Sequence, residues 1–182
     1  MKLLFPKPYA DFVARLRVPC GFVLVAAFAW FSNPDARSLV YGLPVSLMGL
    51  AVRAWAAGHL SKNQALASSG PYAYTRNPLY LGTLLVAAGL AMASRSAGLG
   101  ALFAAVFLCI YLPVIQLEQQ HLRSLFPEYA AYAARVPALL PRMTTAGEPR
   151  AFQWALYVKN REYQAAAGFL AGALFLLWKA LR

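Results

Sequence analysis

The stretch GPYAYTRNPLYLG, residues 70–82, interrupts a chain that is otherwise mostly Ala, Leu, Val and Phe. It gathers two prolines, an arginine, an asparagine and the tyrosines Tyr72, Tyr74 and Tyr80. Pro71 and Pro78 each push the residue before them away from helical geometry. Pro78 also suits the first turn of a helix, where its missing N–H costs nothing. Arg76-Asn77-Pro78 therefore reads as a helix start with Asn77 as the candidate N-cap. The residues that follow, 78–94, are apolar almost throughout. A polar, punctuated loop thus stands at the mouth of a greasy helix.

Working outward, the same contrast holds for the whole chain. Sixty per cent of its residues are apolar and 13% are charged, against roughly half and a quarter in soluble domains. A hydrocarbon core of ~30 Å needs roughly 20 apolar residues in helix. Residues 18–31 with an amphipathic lead-in from Tyr9, then 39–60, 78–94, 97–116 and 163–181, come close to that. Ser94-Arg95-Ser96 is short enough only for a tight turn, which makes a hairpin of the third and fourth segments. The sequence predicts an all-α integral membrane helical bundle, with about five transmembrane helices plus an amphipathic helix on the cytosolic side. One domain, 1–182, is expected.

The net charge is +11, and its placement favours lipid over nucleic acid. With a cytosolic N-terminus, Arg37, Arg95, Lys179 and Arg182 fall outside and the other basic residues lie on the inner side. That is the positive-inside pattern, and such flanks suit an anionic leaflet. Cys20 and Cys109 sit in apolar segments without a CxxC spacing, so neither a disulfide framework nor a metal site is expected. The N-terminus lacks an A-x-A cleavage pattern, which predicts an uncleaved first span.

The inner connections, about 61–77 and 117–162, are long, whereas SNPDARS and SRS outside are short. Function is expected on the inner face, where chain is available outside the lipid. A helix start at Asn77–Pro78 presents free N–H groups and a partial positive charge to an anion. The tyrosines add faces for an aromatic base or a cation; an interfacial aromatic belt would use them equally well. Glu118 stands alone among the acids at the end of an apolar segment, which makes it a functional candidate. From Glu118 onward Leu122, Leu125, Phe126, Tyr129, Tyr132 and Val136 recur at helical spacing, an amphipathic helix interrupted at Pro127. His59 and His121 share no ligand spacing, so no metal is expected there. Gly168–Gly172 is a small-xxx-small pattern that signals close helix packing.

GPYAYTRNPLYLG, a membrane hairpin, and then LEQQHLRSLFPEYAAYAARVPALLP together resemble the isoprenylcysteine carboxyl methyltransferase and phospholipid methyltransferase group. That group shows Gly-x-Tyr, Arg-His-Pro-x-Tyr-x-Gly, Glu-Glu-x-x-Leu and Tyr-x-x-Tyr followed by Arg-Val-Pro. The resemblance runs from about Arg53 to Pro141. It implies a membrane methyltransferase that binds S-adenosylmethionine on the cytosolic side, in a pocket from segments of about 59–82 and 114–141. Carried over, the donor contacts Gln64, Ala65, Leu66, Ala67, Tyr72, Arg76, Asn77, Pro78, Leu79, Tyr80 and Glu118. Arg76 and the helix start suit its carboxylate, Tyr72 and Tyr80 its adenine or sulfonium, and Glu118 its ribose hydroxyls or amino group. His59, Val114 and His121 are candidate contacts for a lipid-like or amphipathic acceptor. No catalytic base is assigned.

Three positions depart from the pattern. Asn77 replaces the histidine of Arg-His-Pro, and Gln119 replaces the second glutamate. Val114 stands where prenylcysteine enzymes carry an arginine, which suits a carboxylate acceptor that valine cannot bind. Two competing readings remain. Sterol reductases carry a related Arg-x-Pro-x-Tyr segment, but a dinucleotide with a 2′-phosphate wants several basic residues and 61–77 offers only Lys62 and Arg76. The substitutions also fit a non-catalytic packing or partner-binding protein.

Overall fold

The computed structural model describes residues 4–143 and 150–182. Among them every regular element is helical. In chain order these are α1 (Lys7–Phe31), α2 (Ala36–Ala57), a 3₁₀ turn (Gly70–Ala73), α3 (Pro78–Ser94), α4 (Ala97–Val106), α5 (Leu112–Leu125), α6 (Tyr129–Arg135), α7 (Trp154–Lys159) and α8 (Tyr163–Ala180). A π-helical stretch, Phe107–Tyr111, joins α4 to α5.

The surface is that of a protein in lipid. On α1, Phe22, Val23, Val25 and Trp30 are each more than 60% exposed, an apolar face that only hydrocarbon solvates at low cost. Three helices are long and apolar enough to cross a membrane: Lys7–Phe31, Ala36–Ala57 and Ala97–Leu125. The chain is an integral membrane protein. The expected count of about five spans is not confirmed: α3, with 17 residues, and α8, with 18, fall outside these three by length and composition.

Two boundaries differ from the sequence reading. The lead-in from Tyr9 and the first apolar run form one helix, started by Pro6 and by Pro8 in its first turn. The fourth apolar segment and the amphipathic stretch after Glu118 form one rod, Ala97–Leu125. Nothing between Pro113 and Pro127 can stop a helix, so Glu118 lies inside the rod rather than at its end. Pro113 removes the amide that would bond the carbonyl of Cys109. The Tyr9 hydroxyl donates to that carbonyl instead, at 2.7 Å, which ties α1 to the π-helical stretch. Gln116 adds a second tie, accepting from the amides of Leu4 and Phe5 and donating to the carbonyl of Phe5.

The most intimate contact joins α2 and α3. A Cβ at Gly49 would lie 2.6 Å from the carbonyl oxygen of Gly82, and one at Gly82 would lie 2.6 Å from that of Gly49. Gly42 and Gly89 oppose each other in the same way, closer still. Both pairs are spaced by seven residues along their helices, so two antiparallel backbones touch twice, two turns apart. The hydroxyls of Ser46 and Ser38 donate across the seam to the carbonyls of Val86 (3.0 Å) and Ala93 (2.9 Å). This is small-residue packing with polar glue, the usual solution in lipid. By contrast, Gly168 and Gly172 have nothing within 4 Å of where a Cβ would stand. Among the described residues, nothing makes the close packing that the pattern signals.

At the far end of the seam the expected α3–α4 hairpin turns through Arg95 at φ +54°. Ser96 accepts from the amide of Leu99 to start α4, and Arg95 pairs with Asp35, which caps α2, at 2.5 Å.

Leucine at position 49 or 89 should force the helices apart and lower stability by at least ~1–3 kcal/mol, the cost of overpacking. Gly168→Leu and Gly172→Leu should leave it near wild type. Thermal unfolding in detergent compares the four variants; an unchanged midpoint for Gly89→Leu would contradict the seam.

Candidate functional site

The loop that opens the sequence reading is held by backbone pairing to the segment after α6. The Arg76 amide donates to the carbonyl of Pro137 (2.9 Å) and the Arg142 amide to that of Tyr74 (3.0 Å). The Thr75 hydroxyl donates to the carbonyl of Leu139 (2.9 Å), and Asn77 Nδ2 to that of Ala138 (2.7 Å). Asn77 does occupy the N-cap position of α3, yet its side chain caps nothing, because it is spent on Ala138. The first amides of α3, at Leu79 and Tyr80, are therefore left uncapped by any side chain. From beneath, buried Tyr129, Tyr132 and Val136 pack with Leu66 and Leu122, and the Tyr132 hydroxyl donates to the carbonyl of Tyr72 (2.7 Å). Burial pushes the Tyr72 and Tyr132 hydroxyls above their ordinary acidity range. They stay neutral aromatic walls.

These pieces enclose a cavity of about 530 Å³. Ala65, Leu66, Ala67, Tyr72, Arg76, Asn77, Pro78, Leu79, Tyr80 and Glu118 all line it. Glu118 Oε1 accepts from the Tyr80 hydroxyl at 2.8 Å, so α5 and the first turn of α3 meet across the opening. Tyr111 of the π-helical stretch stands edge-on to Tyr80, centroids 6.0 Å apart. The Arg76 guanidinium reaches the Tyr129 hydroxyl at 3.3 Å, while its Nε is buried without a partner.

Gln64 is exposed and does not line the cavity. Of the three acceptor candidates, His121 lines it, with its ring 3.3 Å from Asn63 Oδ1. Val114 is buried in the packing face of α5. His59 is a strut outside the cavity: its ring nitrogens lie 2.9 Å from the Trp55 carbonyl and 3.1 Å from that of Arg150. Its ring also explains Gly70, which has φ +56° and where a Cβ would sit 2.7 Å from the imidazole. Among the described residues no three His, Cys, Asp or Glu side chains gather in a way that could hold a metal ion.

Sequence reasoning missed several lining residues, above all Arg53 and Arg17. Arg53 of α2 is gripped by Glu162 through two bonds of 2.5 and 3.0 Å, and its third nitrogen donates to the Thr83 hydroxyl at 2.5 Å. Glu162 is 8% exposed and opens α8. Asn160 donates to the carbonyls of Ala57 and Leu60, and Gln153 to that of Gly58, so 150–162 docks on the end of α2. No local pattern pairs residues more than a hundred positions apart. Arg17 carried only a weak signal, because it ends the charged lead-in that also holds Asp11 and Arg15.

A second cavity of about 900 Å³ lies between α1, α3, α8 and the α4–π segment. It is almost wholly apolar, and Thr83 and Tyr111 line both spaces.

The model of the phospholipid methyltransferase family matches residues 40–129. A relative aligned over most of its own length also stands above 30% identity. The chain belongs to the phospholipid methyltransferase family. The family match runs from α2 into α6 and so includes Arg53, the loop, Tyr80 and Glu118, but neither Arg17 nor Glu162. The cobalt-zinc-cadmium resistance protein CzcN of Cupriavidus metallidurans is 39% identical over 135 residues, 70% of this chain and 62% of that protein. The nickel-cobalt-cadmium resistance protein NccN of Alcaligenes xylosoxydans xylosoxydans is 33% identical over 151 residues, 76% of this chain and 71% of its own. The chain thus spans less than two thirds of the first relative's length. No solved structure matches.

Removing one partner of the Arg53–Glu162 pair leaves a charge facing none. Glu162→Ala should cost roughly 2–4 kcal/mol, below the ~3–5 of a fully buried pair because Arg53 keeps some solvent. Arg53→Met/Glu162→Met should recover most of that. Unfolding midpoints of both single variants and of the double variant test this; a double-variant loss equal to the sum of the two single losses would mean that the pair carries no coupling.

Proposed function

We propose that this protein is an integral membrane S-adenosylmethionine-dependent methyltransferase acting on a lipid-like or amphipathic acceptor at the cytosolic membrane face. The observation that carries the reading is the junction of a polar and an apolar cavity at Thr83 and Tyr111. At about 530 Å³ the first is of ordinary size for a small-molecule cofactor, which falls roughly between 300 and 1,000 Å³. Its groups fit the donor. The uncapped start of α3 and the unpartnered Arg76 Nε suit a carboxylate, Tyr72 and Tyr80 offer aromatic faces, and Glu118 accepts from hydroxyls or an amine.

When bound, the donor supplies a methyl group already activated on a sulfonium. The protein's work is then orientation and exclusion of water. Tyr80, fixed by Glu118, and Tyr111 wall the opening between the two spaces. Arg53 holds the Thr83 hydroxyl there from behind. The apolar cavity takes the acceptor's chain and brings its reacting atom to the same point. In this reading α3 and α8 also cross the membrane, accommodated by local thinning or flanking anchors, which gives five spans. The N-terminus and the polar cavity then face the cytosol of an inner membrane, as the basic flanks favour. The metal-resistance names of the two relatives suggest the setting in which such a transfer is used.

Calorimetric titration of S-adenosylmethionine into detergent-solubilised protein should show saturable binding. Glu118→Ala and Tyr80→Ala should each weaken it about 10- to 100-fold, the worth of a hydrogen bond to a charged group. Four basic side chains line the cavity, Arg17, Arg53, Lys62 and Arg76, so the reduced phosphorylated dinucleotide is the control ligand. Binding of that dinucleotide in place of S-adenosylmethionine, by a folded sample, would replace the transferase with a reductase.

A further inference from the structure

Arg17 stands in the middle of α1, roughly 15 Å along the helix from Lys7 at 1.5 Å per residue. It closes the amphipathic lead-in that also carries Asp11 and Arg15, immediately before the apolar run 18–31, and a charge at the edge of such a run is a candidate to meet a cavity or a ligand. It lines the polar cavity, its side chain is exposed, and it interacts with the Tyr80 side chain at the opening. It takes part in none of the ion pairs among the described residues.

The other cations of the cavity are differently placed. Glu162 neutralises Arg53 from behind. Arg76 sits against Tyr129 and Gln119 on the loop side. Lys62 belongs to the exposed inner loop.

The helix that carries Arg17 also walls the apolar cavity, through Gly21, Leu24 and Phe28. Those residues follow Arg17 at four, seven and eleven positions, one face of the helix. Gly21, one turn on, has nothing within 4 Å of where a Cβ would be. An amphiphile whose chain lies along Gly21, Leu24 and Phe28 therefore places its head at Arg17.

The charge balance points the same way. Four basic side chains face Glu118, with Glu162 behind Arg53, and the proposed donor adds a net positive charge. An anionic group on the second ligand complements that excess.

We infer that Arg17 is the specificity residue for the acceptor and recognises an anionic head, phosphate or carboxylate, on a single-chain amphiphile seated in the apolar cavity. This rests on the reading of that cavity as the acceptor site. It also relocates to α1 the anion recognition that Val114 cannot supply from α5. A guanidinium offers either anion two parallel hydrogen bonds.

The test uses the full chain in phosphatidylcholine nanodiscs, titrated with octyl phosphate, octanoate and octanol, and separately with S-adenosylmethionine. The wild type should bind at least one of the two anions about 10-fold or more tightly than octanol, and the stronger of the two identifies the head. Arg17→Gln should bring the anions down to the level of octanol, while donor affinity moves far less. Arg17→Lys, which keeps the charge without the fork, should retain part of the preference and serves if the glutamine variant does not fold. Gly21→Leu should weaken all three probes together by filling the chain's path. Equal binding of anions and octanol by the wild type, or an anion preference untouched by Arg17→Gln, overturns the inference. Failure to bind S-adenosylmethionine would instead strike the transferase reading, whatever the probes show.

Discussion

The double glycine contact between α2 and α3 is the constraint on which the rest of the structure depends. In lipid there is no hydrophobic force to drive two apolar helices together, so contact must come from close packing and from hydrogen bonds across the seam. Gly42 against Gly89 and Gly49 against Gly82 bring the backbones together, and Ser38 and Ser46 bond across the space this creates. The seam fixes where α3 begins relative to α2. Arg53 lies one turn beyond Gly49, and its stem packs 2.5 Å from where a Cβ of Gly82 would stand. Any side chain at position 82 would displace the arginine from the cavity wall. The glycine that closes GPYAYTRNPLYLG is thus a packing residue with a consequence for the site.

A second constraint is the backbone pairing of the loop before α3 with the segment after α6. Loops at membrane depth must satisfy their polar groups internally or line an aqueous space. Residues 74–77 bond to Pro137, Ala138, Leu139 and Arg142, and Arg76 and Asn77 among them also line the cavity. This gives Arg-Val-Pro and the residues after it a physical role. They supply carbonyls in an extended strip that no helix has already used. Asn77 shows the effect at one residue, since Ala138 takes the side chain that would otherwise cap α3, and the helix start remains open to a ligand.

What was legible in the sequence is what is encoded locally. Prolines and polar residues marked the start of α3, apolar runs marked the helices, and Glu118 stood out as an acid among apolar neighbours. Ten of the eleven donor-contact residues carried over from the family resemblance line one cavity, Gln64 being the one that does not. Illegible were the features that arise between distant segments. The seven-residue glycine spacing looks like nothing in one helix and acquires meaning only when two such helices run antiparallel. The i, i+4 glycines of α8 looked significant and instead border a void. Glu162 was one acid among several in flanks and loops until the docking of 150–162 brought it to Arg53.

The helical irregularities gather where the two cavities join. Pro113 frees a carbonyl at Cys109, the helix widens to π geometry over Phe107–Tyr111, and Tyr9 answers the freed group from α1. π-helical turns and unsatisfied carbonyls cost stability in an apolar medium, and such features concentrate at functional positions. Here the widened turn sets Tyr111 edge-on to Tyr80, at the boundary shared by polar and apolar space. A straight α-helix would advance every residue after Val106 by a different rotation about the axis, carrying Tyr111 and Glu118 around together. The irregular stretch therefore sets the angle at which α5 presents Glu118 to Tyr80.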